Sequence, residues 1–394
     1  MIAQIDKTTK RARYYDVRRL TPREVYRLMG VDDDDIDQLL TTRLRGEWQD
    51  GDELLLFGAD EWNDMLASET EVPVIPMSEH YKLAGNSIVV NVLAAIFRQI
   101  FRPAVMNGDG RSWNYRHPGT RPISIITLCA GYDSQCLALT KLCHQVADDP
   151  TEQPLSYKLV AWSEFDPEST RPLKRQPAVL AHNLLFPDAE DKNLGDMTKI
   201  DWSKVVPSKV RRGQLDMLTY STPCTDISKA GKQAGLAKDS GTRSSILWHT
   251  EQAIQALQPR FLLQENVAEL AGRKARPYFN EWLQTVERLG YRNYWAVLNA
   301  KKFGVPQNRD RVFCVSVRND ICPDAVFSWP SPSDLRRVVF DIIEPECDRR
   351  YFLESEQVIA FLRRREHPDR PQCYHICTRK LTPQEIHDIV LSHP

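Results

Sequence analysis

The sequence predicts an α/β fold, a doubly wound sheet with a smaller second lobe, from three observations. Between residues 122 and 318, short apolar segments alternate with helix-length segments, which is typical of strands joined by crossover helices in a parallel sheet. The chain has 394 residues, enough for two domains. Apolar residues make up 42% of it and charged residues 27%, which excludes collagen-like, coiled-coil and largely disordered chains.

Six apolar segments are the predicted strands of this sheet. They are residues 123–128, 158–162, 215–220, 259–265, 294–298 and 311–317. A helix is expected at residues 135–146, directly after the first strand. Because the carboxyl ends of parallel strands share one edge of a sheet, the side chains that follow these strands should lie close together.

Two helices are predicted ahead of the sheet. The segment Thr21–Glu24 is a capping box with proline at the first helical position, and Gly30 should end that helix. A second helix follows Ser87 and is apolar on nearly all sides, so it should pack inside the main domain. Residues 103–121 are rich in Gly, Pro and Asn and are predicted to be a linker.

Charge and cysteine content exclude several classes of protein. The net charge is −1, so any nucleic acid must be held by a local patch and not by bulk charge. Nine cysteines at irregular spacing do not form a disulfide framework, which favours a reducing cytoplasm. The longest apolar run, residues 87–97, is too short to span a membrane, and no secretory signal opens the sequence, so no membrane association is expected.

The ends of the first strands carry side chains suited to a nucleotide-like ligand. Gly131 follows the first strand and allows close backbone approach to a ligand at a helix N-terminus. Glu164 and Phe165 end the second strand, where an acid can bind a ribose diol and a ring can stack on adenine. Asp196, followed by Met197, would suit an adenine amino group. Each feature taken alone is also common in ordinary loops.

Side chains of a different chemistry follow the later strands. Cys224 lies in a polar, glycine- and serine-rich loop after one strand, and Glu265 ends the next. Arg309 and Arg311 are two residues apart at the entry to the last strand, so both can project to one face. With these groups at neighbouring strand ends, a thiolate can add to an electron-poor heteroaromatic ring while an acid protonates or hydrogen-bonds the ring.

In this order, these segments resemble the motifs of the DNA cytosine-C5 methyltransferase family. The resemblance covers about residues 122–318. It rests on STPCTDIS (221–228) for the Pro-Cys motif, QENV (264–267) for the Glu-Asn-Val motif, PQNRDR (306–311) for the Gln-x-Arg-x-Arg motif, and LCAGYDS (128–134), SEF (163–165) and GDMT (195–198) for the cofactor motifs. It implies a Rossmann-like, S-adenosylmethionine-dependent methyltransferase sheet with a small recognition lobe.

The resemblance also implies a role for each matching residue. Cys224 would attack C6 of a cytosine flipped out of the duplex, Glu265 would be the N3 proton partner, and Arg309 with Arg311 would position the base and the carboxyl group. Asp133 and Ser134 depart from the family, which has more glycine there. The implied S-adenosylmethionine pocket comprises Asn86, Ser87, Cys129, Ala130, Gly131, Asp133, Glu164, Phe165, Asp196, Met197 and Pro223.

The opening of the chain indicates a circular permutation. RRLTPREVYRLMGV (18–31) resembles the ninth motif of the family and YKLAGNSIVVNVLAAIF (81–97) the tenth, and both usually close the protein. The expected organisation is a permuted segment, a linker, a catalytic S-adenosylmethionine-binding domain and a short target-recognition region, at residues 1–102, 103–121, 122–318 and 319–394.

The sequence therefore predicts methylation of C5 of cytosine in double-stranded DNA, at a short specific site of the restriction-modification kind. A partner chain that completes recognition is an alternative to a compact recognition region. Two other functions stay open: the same chemistry on tRNA or other RNA, and a non-catalytic DNA-binding subunit. No metal is expected, because Cys373, His375 and Cys377 lack a second ligand pair.

Overall fold

The computed structural model describes residues 2–5, 12–15, 18–44, 71–103, 113, 115–209, 211–223 and 243–353. The chain forms two compact units: Met1–Val25 with Ile342–Pro394, and Tyr26–Asp341. The smaller unit thus contains residues from both ends of the chain. The predicted boundaries at residues 102, 121 and 318 instead divide the chain into consecutive segments.

Short elements precede the main sheet. They are β1 (Ile2–Ile5), β2 (Ala12–Tyr15), α1 (Pro22–Leu28), α2 (Asp33–Leu39), β3 (Thr42–Leu44), β4 (Glu71–Pro73), α3 (Met77–Asn86) and α4 (Val90–Phe101). The later elements are β5 (Ile123–Leu128), α5 (Ser134–Ala147), β6 (Tyr157–Ser163), α6 (Pro177–Leu185), α7 (Trp202–Lys209), β7 (Met217–Tyr220), α8 (His249–Leu257), β8 (Phe261–Val267), α9 (Arg276–Arg288), β9 (Tyr291–Asn299) and β10 (Asp310–Arg318).

A six-stranded sheet in the order β6-β5-β7-β8-β10-β9 is the centre of the larger unit. The six predicted segments are its six strands, which confirms the predicted α/β class. Strands β5 to β8 are parallel, and β10 is antiparallel to both β8 and β9. The expectation of a wholly parallel sheet is therefore wrong for β10. Residues 300–309 between β9 and β10 are too few for a crossover helix, so β10 folds back on β9.

The core of the larger unit lies between the sheet and its helices. Strand residues alternate between the two faces, and the central strands β5, β7 and β8 are buried at every residue except Ser124, as expected for a sheet covered on both faces. The buried side chains of one large cluster include Ile126, Leu128, Leu218, Leu262, Ile254, Leu257 and Trp282. This packing makes the carboxyl edge of the sheet a rigid base for the loops that follow β5 to β8.

Helix α4 packs inside the larger unit, as its sequence predicted. Val90, Leu93, Ile96 and Phe97 are buried, and the helix contacts α5. The stretch Met77–Phe101 has the length and apolar composition of a membrane span, and 61% of its most apolar window is buried inside the fold. That burial is typical of a core helix.

The predicted linker packs closely against the sheet in its described part. Trp113 and His117 are buried, and the rings of Trp113 and Tyr115 lie 5.9 and 4.9 Å from Phe261. A guanidinium nitrogen of Arg121 lies 2.6 Å from a carboxylate oxygen of the buried Asp216. The described residues 113 and 115–121 contain no helix or strand, as Gly, Pro and Asn indicated, but their aromatic side chains bury apolar area that a free linker would expose.

The smaller unit contains the predicted capping box. The backbone N–H of Thr21 donates to the Glu24 carboxylate at 2.8 Å, and the Glu24 N–H donates to Thr21 Oγ1 at 3.2 Å. Arg18 binds the same carboxylate through two nitrogens at 2.7 and 2.6 Å, and the Glu344 N–H donates to it at 2.8 Å. These contacts lower the pKa of the Glu24 carboxyl, although its burial acts the other way.

Candidate active site

A cavity of about 660 Å³ opens at the carboxyl edge of the sheet in the larger unit. It is lined by the residues that follow β5, β6, β7 and β8, as expected for ligand sites in doubly wound folds. Predicted site residues that line it are Asn86, Ser87, Cys129, Ala130, Gly131, Glu164, Phe165, Asp196, Met197, Pro223, Glu265 and Arg311.

The first two strand ends are joined by a direct hydrogen bond. The Gly131 N–H donates to Glu164 Oε2 at 2.7 Å, and Gly131 has a φ of 59°, a conformation that favours glycine. Ser163 Oγ donates to the Gly195 carbonyl at 2.6 Å, and the Gly195 N–H donates to Asn193 Oδ1 at 2.9 Å. The loops after β5 and β6 and the loop at Gly195 therefore form one connected wall of the cavity.

Asp196 and Phe165 lie on this wall. The Thr198 N–H and hydroxyl donate to Asp196 Oδ1 at 3.0 and 2.7 Å, and the Lys199 amine lies 3.2 Å from Oδ2. Burial raises the pKa of the Asp196 carboxyl, but these partners outweigh it and lower the pKa overall. The same Lys199 amine lies 5.8 Å from the centre of the Phe165 ring. The wall thus offers a charged acceptor and an aromatic ring.

Glu265 is the buried acid of the cavity. It is 8% exposed, and Nε of Arg311 lies 3.1 Å from its Oε1. In the pairing of β8 with β10, Arg311 is opposite Val267 and therefore diagonal to Glu265 on the same face, within reach of a long side chain. Burial raises the pKa of Glu265 to about 7, and Arg311 and Arg309 counteract part of that rise. The carboxyl group can therefore hold or release a proton near neutral pH.

Arg309 binds the segment that ends α3. Its Nη2 donates to the carbonyls of Gly85 and Ser87 at 2.8 and 2.7 Å. Arg309 precedes β10, and its guanidinium extends to the end of α3, whereas that of Arg311 extends to β8. In the structure, Arg309 therefore holds the segment that presents Asn86 and Ser87 to the cavity.

Asp133 is also placed differently from the prediction. It is fully buried and is not among the residues that line the cavity, although its neighbours Tyr132 and Ser134 are. Its carboxylate points inward because it accepts the Cys136 N–H at 3.0 Å and caps α5. Asp133 shapes the wall of the cavity and does not form its surface.

The predicted nucleophile Cys224, and Thr225 after it, lie outside the described residues. The residues just before Cys224 are described, and Pro223 lines the cavity. The Asn266 side chain donates to the Thr222 carbonyl at 3.0 Å, which ties the end of this segment to the neighbour of Glu265. Cys373, His375 and Cys377 also lie outside the described part, within which no cluster of three His, Cys, Asp or Glu could hold a metal ion.

Several residues of the cavity were missed by sequence reasoning. They include Glu79, Lys82, Tyr132, Gln135, Gln176, Ser221, Ile246 and His249. Gln135 lies in the first turn of α5, and its side chain donates to Ser221 Oγ at 3.2 Å, so the motif at residues 128–134 could have indicated it. Gln176 holds both backbone polar groups of Asp166, at 2.8 and 3.1 Å, and no sequence pattern marks it.

Known relatives match part of the chain. A type II methyltransferase of Lactococcus lactis subsp. cremoris, M2.ScrFI, is 44% identical over 43% of this chain and 44% of its own length. The orphan methyltransferase M.SssI of Spiroplasma monobiae is 35% identical over 42% of this chain and 43% of its own length. The chain therefore matches less than half the length of these relatives.

A solved structure and a family model were also compared. The S. pombe Dnmt2 methyltransferase has a TM-score of 0.39 at 13% identity, covering 62% of this chain and 66% of that chain. The model of the C-5 cytosine-specific DNA methylases matches residues 124–385. Since that match spans more than half of the sequence, the chain belongs to the C-5 cytosine-specific DNA methylase family.

Proposed function

We propose that this protein transfers a methyl group from S-adenosylmethionine to C5 of a cytosine in double-stranded DNA, at a short specific sequence. One observation carries the proposal. The buried Glu265 and its half-buried partner Arg311 open onto the same cavity as Gly131 and Glu164, so an acid that can hold a proton faces a wall suited to a nucleotide-like cofactor.

The described side chains fit S-adenosylmethionine. The volume of the cavity is within the usual range for cofactor sites. The Glu164 carboxylate would accept hydrogen bonds from the ribose hydroxyls, Phe165 would lie against the adenine, and Asp196 would accept from its amino group. Asn86 and Ser87 would contact the cofactor from the α3 side. When bound, S-adenosylmethionine supplies an electrophilic methyl group.

The target base needs activation, because C5 of cytosine is a poor nucleophile. The Cys224 thiolate would form a bond to C6 while protonated Glu265 hydrogen-bonds or protonates N3, which places the electron pair on C5. C5 would then take the methyl group as the bond from that group to the cofactor sulfur breaks, which releases S-adenosylhomocysteine. The proton on C5 would pass to a base, the bond from the Cys224 sulfur to C6 would break, and N3 would return its proton to Glu265. Arg311 would keep Glu265 oriented toward the base throughout.

We also propose that the segment at residues 18–97 is the permuted counterpart of the ninth and tenth motifs. Helix α4 contacts α5, which follows the first cofactor strand, and the Asn91 side chain donates to the Phe303 carbonyl at 3.1 Å. With the bonds from Arg309 to Gly85 and Ser87, these contacts tie a segment from the start of the chain to the wall of the cavity. Such contacts require proximity in space and not a particular chain order.

Target recognition would lie in residues 319–394, either alone or with a partner chain. M2.ScrFI is a type II methyltransferase and M.SssI an orphan methyltransferase, so the enzyme, encoded by a bacterium or a phage, would act on nucleoid DNA in the cytoplasm, with or without a matching nuclease.

Bisulfite sequencing of DNA from cells that express the chain tests this proposal. Cytosines at one short sequence should resist conversion by bisulfite. The matched control is Cys224→Ser, expressed to the same level as the wild type. Total RNA from the same cells is sequenced in parallel. If cytosines are protected in tRNA alone, the substrate is RNA and not DNA. If neither DNA nor RNA is protected and the chain does not bind S-adenosylhomocysteine, a non-catalytic binding subunit is favoured.

A further inference from the structure

The loop that joins β5 to α5 has an unusual backbone. Cys129, Gly131 and Asp133 have positive φ angles of 52°, 59° and 64°. Left-handed backbone is unfavourable for a residue with a side chain, and Asp and Asn tolerate it better than most. Gly131, Tyr132 and Ser134 line the cavity, so the conformation of Asp133 sets the shape of this wall.

Two hydrogen bonds hold the Asp133 side chain, and a buried imidazole lies against it. Its Oδ1 accepts the Cys136 N–H at 3.0 Å, and its Oδ2 accepts the Thr127 hydroxyl at 2.8 Å. Nε2 of His182 lies 3.4 Å from the same Oδ2 without hydrogen-bond geometry, and both side chains are fully buried. Thr127 belongs to β5 and Cys136 to α5, whereas His182 reaches the loop from the separate helix α6.

The orientation of His182 is itself fixed. Its ring stacks on the Trp162 ring with 3.5 Å between centres and 10° between planes. The Trp162 indole N–H donates to the Ala189 carbonyl at 2.7 Å, so the platform beneath the imidazole is anchored. The stack directs Nε2 toward Asp133 and away from bulk solvent.

From this geometry we propose that His182 is a positioning residue for the cofactor wall. It acts through the Asp133 carboxylate, which it helps to keep in the left-handed, helix-capping conformation, and it does not itself line the cavity. The inference rests on the proposed function, because it takes S-adenosylmethionine or its product as the ligand of that wall.

A double-mutant cycle tests the proposal. His182→Phe keeps a ring on Trp162 but removes the polar nitrogen that faces the Asp133 carboxyl group, and the Kd for S-adenosylhomocysteine, measured by calorimetry, should rise about tenfold. In the Asp133→Gly variant, glycine adopts a positive φ without support from a side chain. In that background His182→Phe should change the Kd by less than about twofold, because the coupling passes through Asp133.

Two controls separate positioning from general stability. His117→Phe removes another buried histidine, which contacts Phe101 edge-on; its Tm should fall while the Kd stays unchanged. His182→Gln keeps an N–H donor and loses the stack, so its Tm should fall while the Kd stays within about twofold of the wild type.

Specific results would overturn the proposal. It is wrong if His182→Phe lowers Tm like His117→Phe but leaves the Kd unchanged, if His182→Gln weakens binding as much as His182→Phe, or if the loss persists in the Asp133→Gly background. Failure of the wild-type chain to bind S-adenosylhomocysteine would instead overturn the proposed function, and this inference with it.

Discussion

Glu265 carries the chemistry of the cavity at the scale of single residues. A carboxyl group in water is ionised at neutral pH and cannot donate a hydrogen bond, whereas burial raises the pKa of Glu265 to about 7. Arg311, 3.1 Å away, opposes this rise and keeps the carboxyl from becoming permanently neutral. The balance leaves the group able to exchange a proton with a bound base.

The pKa of Glu265 predicts a pH dependence. If protonated Glu265 is the active form, kcat/KM for DNA should fall as the pH rises through about 7. Glu265→Gln, whose amide donates at every pH, should lose this descending limb and about 10²–10⁴-fold of its rate. Profiles of both proteins between pH 5.5 and 9 check this, and an unchanged descending limb in Glu265→Gln would exclude this carboxyl as its cause.

The raised pKa of Glu265 also makes the stability of the fold depend on pH. The folded-state pKa lies above the ordinary value of 4.5, so the protonated group favours the folded state, and this contribution is lost as the pH rises from about 4.5 through about 7. Glu265→Gln does not titrate. Its Tm relative to the wild type should therefore increase across this window, and a constant difference between pH 4.5 and 8 in thermal scans would contradict the shift.

Arg309 and Arg311 should differ in their kinetic effects. Arg309→Ala removes two bonds to the segment that bears Asn86 and Ser87, so KM for S-adenosylmethionine should rise about fivefold to tenfold while kcat changes less. Arg311→Ala removes the partner of Glu265, so kcat should fall instead. Steady-state kinetics on both variants check the contrast. A loss confined to kcat in Arg309→Ala would instead indicate that Arg309 positions the target base.

At the scale of elements, the capping box at α1 gives a direct prediction. Thr21→Ala removes one of the two reciprocal bonds and the bond from the Thr21 hydroxyl to Glu344, and should lower the free energy of unfolding by about 1 kcal/mol. Thr120→Ala, at an exposed threonine, should change it by less than about 0.5 kcal/mol. Urea denaturation compares them, and equal effects would mean that the cap contributes little.

The apolar pattern of the sequence predicted the strands, the buried helix and the residues at the strand ends well. All six strands and the buried helix α4 follow from apolar periodicity, and parallel topology alone brings Glu164 and Glu265 to one cavity. The reversed direction of β10 depends on loop length, and the docking of residues 113–121 depends on aromatic contacts made only in the folded chain. The bond from Arg309 to the Ser87 carbonyl could not be predicted because the two residues are distant in sequence, whereas the inward turn of the Asp133 carboxylate follows from its cap on α5.

At the scale of the whole molecule, the proposed permutation predicts that the covalent link near residue 103 is dispensable. Residues 1–102 and 113–394, expressed as two separate chains, should reassemble and methylate DNA, since the contacts of α3 and α4 with the cavity wall do not require a continuous chain. Methylation assays on the mixture and on each fragment alone check this. Inactivity of a mixture that does associate would show that the link is needed.

The chemistry is tested most directly by trapping the enzyme on DNA. In a duplex that carries 5-fluorocytosine at the target, C5 has no proton to lose after methylation, so the bond between sulfur and C6 should persist. The wild-type chain with S-adenosylmethionine should give a complex that survives denaturing electrophoresis, and Cys224→Ser should give none. A wild-type chain that methylates DNA without forming this complex, or a Cys224→Ser variant that still forms it, would contradict nucleophilic attack by Cys224.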